Sequence, residues 1–250
     1  MTASTPWRLA PGAMSLPGDE VHVWRAALDV DPGSLETLEK TLALDERTRS
    51  AQFRFAKDRR HFIAARGILR DILARYLHRD PASLEFSYNA FGKPALAGES
   101  DRSRLHFNLS HSKGFALFAV AQGREVGVDV ERTQTDLNWE GVARRYFSHR
   151  EIAALASLPP GQRCEAFFRC WTRKEAYVKA KGGGLSIPLD QFDTSIGPAS
   201  TAVLLGAEDD SGEASRWILK DLDPVPGYSA ALAVAGYGWQ LECWQWLAPY

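Results

Sequence analysis

Apolar and polar residues alternate over 20–28, "EVHVWRAAL", which predicts a first β-strand. The period then lengthens. "SLETLEKTLALDERTRSAQF" (34–53) and "KDRRHFIAARGILRDILARYL" (57–77) carry apolar residues at helical spacing, with Phe62, Ala65, Leu69, Ile72 and Leu73 forming one stripe. His78-Arg79-Asp80-Pro81 ends that helix. "LEFSYNAFGKPAL" (84–96) predicts a strand and a Gly-Lys-Pro turn, and "RLHFNLSHS", "GFALFAVA" and "VGVDVE" predict three more strands. A helical stretch over 139–158, a Pro-Pro-Gly break at 159–161 and a helix through 171–181 follow. Strands are predicted in 201–207, 215–222, 228–236 and 239–247. Each half offers a strand, helical material and then several strands. The pattern predicts an α+β fold with two similar halves, 19–124 and 125–250, and a cleft between them. Residues 1–18 read as a flexible leader.

In "WTRKEAYVKAKGGGL" (171–185) the helical pattern acquires charge where it should be apolar. Cys164, Phe167, Phe168 and Trp171 follow i, i+3, i+4, i+7 spacing, and the same spacing leads on to Lys174, Glu175 and Val178, with Lys179 beside them. A Glu175–Lys179 pair would contribute a few tenths of a kcal/mol. That does not explain why charge replaces core. A helix that packs with its first half and lines a wet cleft with its second does.

"GVDVE" (127–131) supplies the acids for such a cleft. In a strand Val126, Val128 and Val130 share one face while Gly127, Asp129 and Glu131 share the other. Two carboxylates on one face repel unless water or a cation compensates. Magnesium suits this arrangement, since it takes one or two protein carboxylates and completes its octahedron with water and phosphates. A solvent-facing strand with two surface acids is the plain alternative. In "NLSHS" (108–112), Ser110 and His111 point to opposite strand faces, which argues against an acyl-transfer dyad and for separate polar contacts. "FGKP" (91–94) exposes backbone and a lysine. Arg66 adjoins Ala65 on the apolar stripe.

Composition narrows the class. The net charge of −1 argues against general nucleic-acid binding, although the arginines crowd into 47–79. No stretch reaches the ~20 apolar residues of a membrane span, and the first 20 residues have no secretory-signal pattern. Cys164, Cys170 and Cys243 form no metal or disulfide framework and read as thiols in a reducing cytoplasm. Three acids, several cations and a histidine make an inventory for a magnesium-chelated, multiply phosphorylated ligand.

"GKP" (92–94), "FNLSHS" (107–112), "GVDVE" (127–131) and "WTRKEAYVKAKGGGL" (171–185) together resemble the Sfp-type 4′-phosphopantetheinyl transferases, in order and spacing, and "DPVPGYSAALAVA" (223–235) resembles their closing strand region. The resemblance implies a pseudo-dimer of two α+β halves in a monomeric chain, with coenzyme A bound between them. It implies transfer of the phosphopantetheine arm to a serine of an apo acyl or peptidyl carrier protein, releasing adenosine 3′,5′-bisphosphate. Asp129, Glu131 and Glu175 match the family's Mg²⁺-binding acids, with Mn²⁺ as the alternative ion. Phe91, Gly92, Lys93 and Pro94 match the adenine-side turn. Ser110 and His111 match the segment that touches the coenzyme phosphates, and Lys174 and Lys179 match the motif's lysines, Lys179 being the better phosphate ligand. Arg66 resembles an arginine that holds the 3′-phosphate, and Arg49 is a further candidate in a stretch that matches loosely. Glu175, or a metal-bound water that it orients, would be the base, with Asp129 and Lys179 completing the catalytic set. A magnesium-dependent coenzyme A pyrophosphate hydrolase and a noncatalytic coenzyme A binding module are the readings from other classes.

Overall fold

Two 22-residue helices organise the chain, one in each half. A computed structural model describes residues 6–98, 105–197, 202–207 and 212–248. The first half contains β1 (Trp7–Leu9), β2 (Glu20–Ala27), α1 (Pro32–Lys40), α2 (Leu44–Ala51), α3 (Ala56–Leu77), β3 (Phe86–Tyr88), β4 (Pro94–Leu96), β5 (Leu105–Ser112) and β6 (Phe115–Gln122). The second contains β7 (Val126–Arg132), α4 (Trp139–Tyr146), α5 (His149–Ser157), α6 (Pro160–Lys181), β8 (Phe192–Thr194), β9 (Leu204–Ala207), β10 (Trp217–Leu222), β11 (Tyr228–Ala235) and β12 (Gln240–Gln245). The Pro-Pro-Gly stretch begins α6 rather than preceding it, because Pro160 occupies the first turn, where its missing amide costs nothing.

The strands form a five-stranded sheet, β1-β12-β2-β6-β5, and a three-stranded sheet, β10-β11-β7. Alternation along each strand sets the layers. Trp24, Ala26, Phe118 and Val120 face α3, where Ile68, Leu69, Ile72 and Leu73 are fully buried. Val21, Val23, Leu117 and Ala119 face the other way and meet Val126, Val128, Val130, Leu232 and Val234 of the second sheet. Ala231 and Ala233, on that sheet's far side, pack against Ala176, Tyr177 and Ala180 of α6. The order is therefore helix, sheet, sheet, helix. Three strands in each half repeat the same order, β2-β6-β5 in the first and β7-β11-β10 in the second. This repeat of topology is the pseudo-dimer expected from the sequence.

The repeat extends to buried charge. Glu46 of α2 and Glu151 of α5 each reach back to the amide that opens their helix, Ala43 and Ser148. Each is buried against a long helix. Glu46 accepts from Arg66 (2.6 Å) and Arg70 (2.7 Å); Glu151 accepts from Lys174 (2.7 Å) and, more weakly, from Cys170 (3.5 Å). Arg70 and Lys174 hold the same position along their helices, as do Arg66 and Cys170.

Two long-range features depart from the sequence expectation. Where a flexible leader is expected over 1–18, residues 7–9 form β1 in parallel with β12, and Met14 is buried in the α3 core. Trp7 anchors this segment, with the Arg25 guanidinium 5.0 Å from its ring centroid and its indole donating to the Asp223 carbonyl. Residues 1–5 of that leader lie outside the described residues. The last strand, β12, inserts between β1 and β2 in the first sheet.

Candidate active site

Between Cys170 and Ala180 of α6 the partly exposed positions are Trp171, Glu175 and Lys179, spaced four residues apart. Glu175, Val178 and Lys179 form one wall of a cleft of about 1200 Å³. The helix ends at Gly182 in left-handed conformation (φ 70°), and the turn at 91–94 closes over it. Asn89 donates to the Gly182 carbonyl (2.8 Å) and the Lys93 ammonium to that of Ala180 (2.5 Å). A positive side chain beside the last carbonyls of a helix also meets the negative end of its dipole. The turn is shaped by Asn89, whose side-chain oxygen accepts from the amides of Phe91 and Lys93, both at 2.9 Å.

Strand β7 lies directly under α6, and none of its residues lines the cleft. It is an edge strand whose open side faces β5, and every second residue of β5 is polar there. Asn108 accepts from the Val128 amide (3.0 Å), Ser110 from that of Val130 (3.4 Å) and Ser112 from that of Arg132 (3.2 Å). These side chains satisfy backbone groups that a neighbouring strand would otherwise take up. The serines also hold the acids: Ser110 donates to Asp129 (2.8 Å) and Ser112 to Glu131 (2.7 Å). Gly127 has a different task. A β-carbon built there would stand 2.8 Å from the Ala180 α-carbon and closer still to the Ala176 carbonyl oxygen and the Ala180 nitrogen. The glycine lets α6 lie directly on β7, which brings Glu175 and Lys179 over Asp129.

Charge is crowded at this junction. Burial pushes the Glu175 carboxyl above its ordinary range; Asp129 and Glu131 add to the rise while Lys179 opposes it. Glu131 is raised as well, first by burial and then by Asp129, with the Ser112 hydrogen bond and Lys179 opposing. The Lys179 ammonium bonds Asp129 Oδ1 (2.6 Å) and Ser110 (2.9 Å). Asp129 Oδ2 is buried with no hydrogen-bond partner. A buried carboxylate oxygen without a partner costs free energy that a cation would recover. In this arrangement no three His, Cys, Asp or Glu side chains among the described residues converge into a ready-made metal-ligand group. The donor type, the excess of acid and the orphaned oxygen nevertheless fit a hard divalent ion that keeps most of its own water.

The other residues expected at the site divide. His111 lines the cleft, and its pKa is lowered by desolvation and then by Lys179 and His61, which favours the neutral ring. Arg49, Arg66, Phe91, Gly92, Lys93 and Pro94 line the mouth. Ser110 and Asp129 are both buried and hydrogen-bonded to each other, and neither lines the cleft. Lys174 is elsewhere: it is fully buried between Glu151 (2.7 Å) and the Phe192 carbonyl (2.5 Å) and does not line the cleft. The expectation that Lys174 meets a coenzyme phosphate is therefore corrected. One residue along a helix is a turn of about 100°, and Glu151 gives the lysine a buried partner. Asn108, Tyr88 and residues 187–189 also line the cleft, and Ser112 holds Glu131; the alternation of polar residues along β5 is the sequence signal for Asn108 and Ser112.

The pseudo-equivalent place in the first half is closed. Asp71 and Arg75 hold the positions of Glu175 and Lys179 and pair at 2.7 Å, but Trp24 stands where Asp129 would, 5.6 Å from the Arg75 guanidinium. Trp246, just beyond β12, donates its indole N–H to Asp71 at 2.7 Å. Only the second-half place opens onto the cleft.

Comparison with known proteins identifies the class of enzyme to which this architecture belongs. Residues 125–233 match the 4′-phosphopantetheinyl transferase superfamily and residues 31–123 match the N-terminal region of a 4′-phosphopantetheinyl transferase. The chain is 41% identical to the 4′-phosphopantetheinyl transferase HetI of Nostoc sp., over 96% of this chain and 98% of that protein. It is 27% identical to the 4′-phosphopantetheinyl transferase Sfp of Bacillus subtilis, over 76% and 81% respectively. A phosphopantetheinyl transferase of Thraustochytrium sp. is 31% identical over 69% of this chain and 64% of its own. The chain belongs to the 4′-phosphopantetheinyl transferase family, enzymes that move phosphopantetheine from coenzyme A to carrier proteins. No helix among the described residues is long and apolar enough to cross a membrane.

Proposed function

We propose that the cleft transfers the phosphopantetheine arm of coenzyme A to a serine of an apo acyl or peptidyl carrier protein, with Asp129, Glu131 and Glu175 holding a divalent ion, magnesium or alternatively manganese. The observation that carries this reading is the partnerless Asp129 oxygen beside two carboxyls of raised pKa. Bound there, the ion would neutralise charge on the pyrophosphate.

The chain's own groups divide the remaining work. Glu175 takes the proton from the serine hydroxyl, a role suited to a carboxyl whose proton affinity burial has raised. The serine oxygen forms a bond to the phosphorus that carries the pantetheine, and the phosphoanhydride bond to the nucleotide breaks. Adenosine 3′,5′-bisphosphate leaves with the electron pair. Lys179 and His111 donate hydrogen bonds to the phosphate oxygens as charge develops. To do so Lys179 must leave Asp129, on which it rests in the ligand-free protein. The 91–94 turn and Arg66 hold the nucleotide end. Both walls come from one chain and the three cysteines are unpaired, which supports a cytoplasmic monomer.

Excess chelator is expected to abolish modification of an apo carrier, and added Mg²⁺ to restore it, as read by intact mass. Undiminished turnover in chelator would remove the metal from these three acids.

A further inference from the structure

Glu131 is tethered at one oxygen only. Its Oε2 accepts from the Ser112 hydroxyl (2.7 Å), and its Oε1 accepts no hydrogen bond among the described residues. Asp129, two residues earlier on the same face, is held by both Ser110 and Lys179. A glutamate also has one more rotatable bond than an aspartate, so more side-chain freedom must be lost before it can serve as a ligand. Its orientation therefore depends on Ser112.

Ser112 is itself fixed. The Arg132 amide donates to Ser112 Oγ (3.2 Å), so the hydroxyl accepts from the backbone and spends its one hydrogen on the carboxylate. The serine is the last residue of β5 and leads into a two-residue turn, Lys113-Gly114, where φ is positive at both positions (47° and 82°). Turns of this kind set the register of a hairpin, and here Ser112 pairs with Phe115. Two contacts tie the hairpin end to the second half. The Tyr228 hydroxyl donates to the Lys113 carbonyl (3.3 Å), and the Tyr228 and Phe115 ring centroids lie 5.2 Å apart. Ser112 is buried and does not line the cleft, so any effect it has on a ligand passes through Glu131.

We propose that Ser112 is a positioning residue for the divalent ion: by holding Glu131 at Oε2 it keeps Oε1 ready for the metal, so that the glutamate is oriented before the ion arrives. The inference rests on the proposed function, which assigns the ion to Asp129, Glu131 and Glu175.

The test is Mn²⁺ binding in the presence of coenzyme A and the absence of any carrier, with free Mn²⁺ read by electron paramagnetic resonance. Wild-type protein, Ser112→Ala, Glu131→Ala and the double variant are compared. Loss of one hydrogen bond to a charged group is expected to weaken Mn²⁺ binding to Ser112→Ala by about tenfold. The half-saturating Mg²⁺ for carrier modification should rise by the same factor. In the Glu131→Ala background the serine change should cost nothing further. If Ser112→Ala does not fold, Ser112→Cys takes its place, since a thiol of nearly the same shape is a weak donor. Mn²⁺ binding equal to wild type overturns the role of Ser112, and so does an equal loss with and without Glu131, which would mark an effect on the fold. Wild-type protein that binds coenzyme A but no Mn²⁺ overturns the metal assignment and this inference with it.

Discussion

Gly127→Ala is expected to cost more stability than any other single-methyl addition in the second half. The added carbon would meet backbone on α6, not the end of a flexible side chain, so the helix itself must move off β7. Overpacking a well-fitted core costs about 1–3 kcal/mol and sometimes more, and here the displaced element carries Ala176, Tyr177 and Ala180 out of their contacts with Ala231 and Ala233. A variant that still folds would hold Glu175 and Lys179 too far from Asp129, so transfer should fall even at temperatures where the protein is native. Thermal melting and carrier modification on the same sample check this. A melting temperature and rate equal to wild type would show that the close approach of α6 to β7 is not needed.

Glu175→Gln separates chemistry from stability. Glutamine keeps the size of the side chain and nearly the same helix propensity, but it cannot take a proton or carry charge. The expected kcat is lower by about 10²-fold or more, the scale of a lost general base. Stability of the ligand-free protein should move the opposite way. Burial, with Asp129 and Glu131 adding to it, raises the Glu175 carboxyl above its unfolded value, so the charged form is less favourable in the folded state than in the unfolded chain. For such a group the folding penalty sets in as pH rises above the ordinary glutamate range, and neutral glutamine does not incur it. Above that range the variant should therefore melt higher than wild type when no divalent ion is present. Near wild-type turnover would remove Glu175 from the chemistry. A lower melting temperature would mean that the charge supports the fold.

Period and spacing carried much of this architecture. Val21 and Val23 on β2, and Val126, Val128 and Val130 on β7, mark strands whose alternation already shows which face is buried. The same alternation puts Asp129 and Glu131 together, and helical spacing brings Glu175 and Lys179 to one wall. What the sequence could not show depends on partners far along the chain. Lys174 and Glu175 are neighbours in sequence, but Glu151 captures the first and not the second. The leader is structured because β12 returns to pair with β1, a contact across nearly the whole chain.

The most direct test is to incubate the protein with coenzyme A, Mg²⁺ and apo carrier proteins, following carrier mass and nucleotide product in the same reaction. A carrier whose acceptor serine is replaced by alanine serves as the control. The account predicts that a carrier with its serine gains one phosphopantetheine for each adenosine 3′,5′-bisphosphate released, and that the alanine carrier neither gains mass nor supports release of the nucleotide. Release of the nucleotide at the same rate with the alanine carrier would contradict it, since the cleft would then be delivering the phosphopantetheine to water.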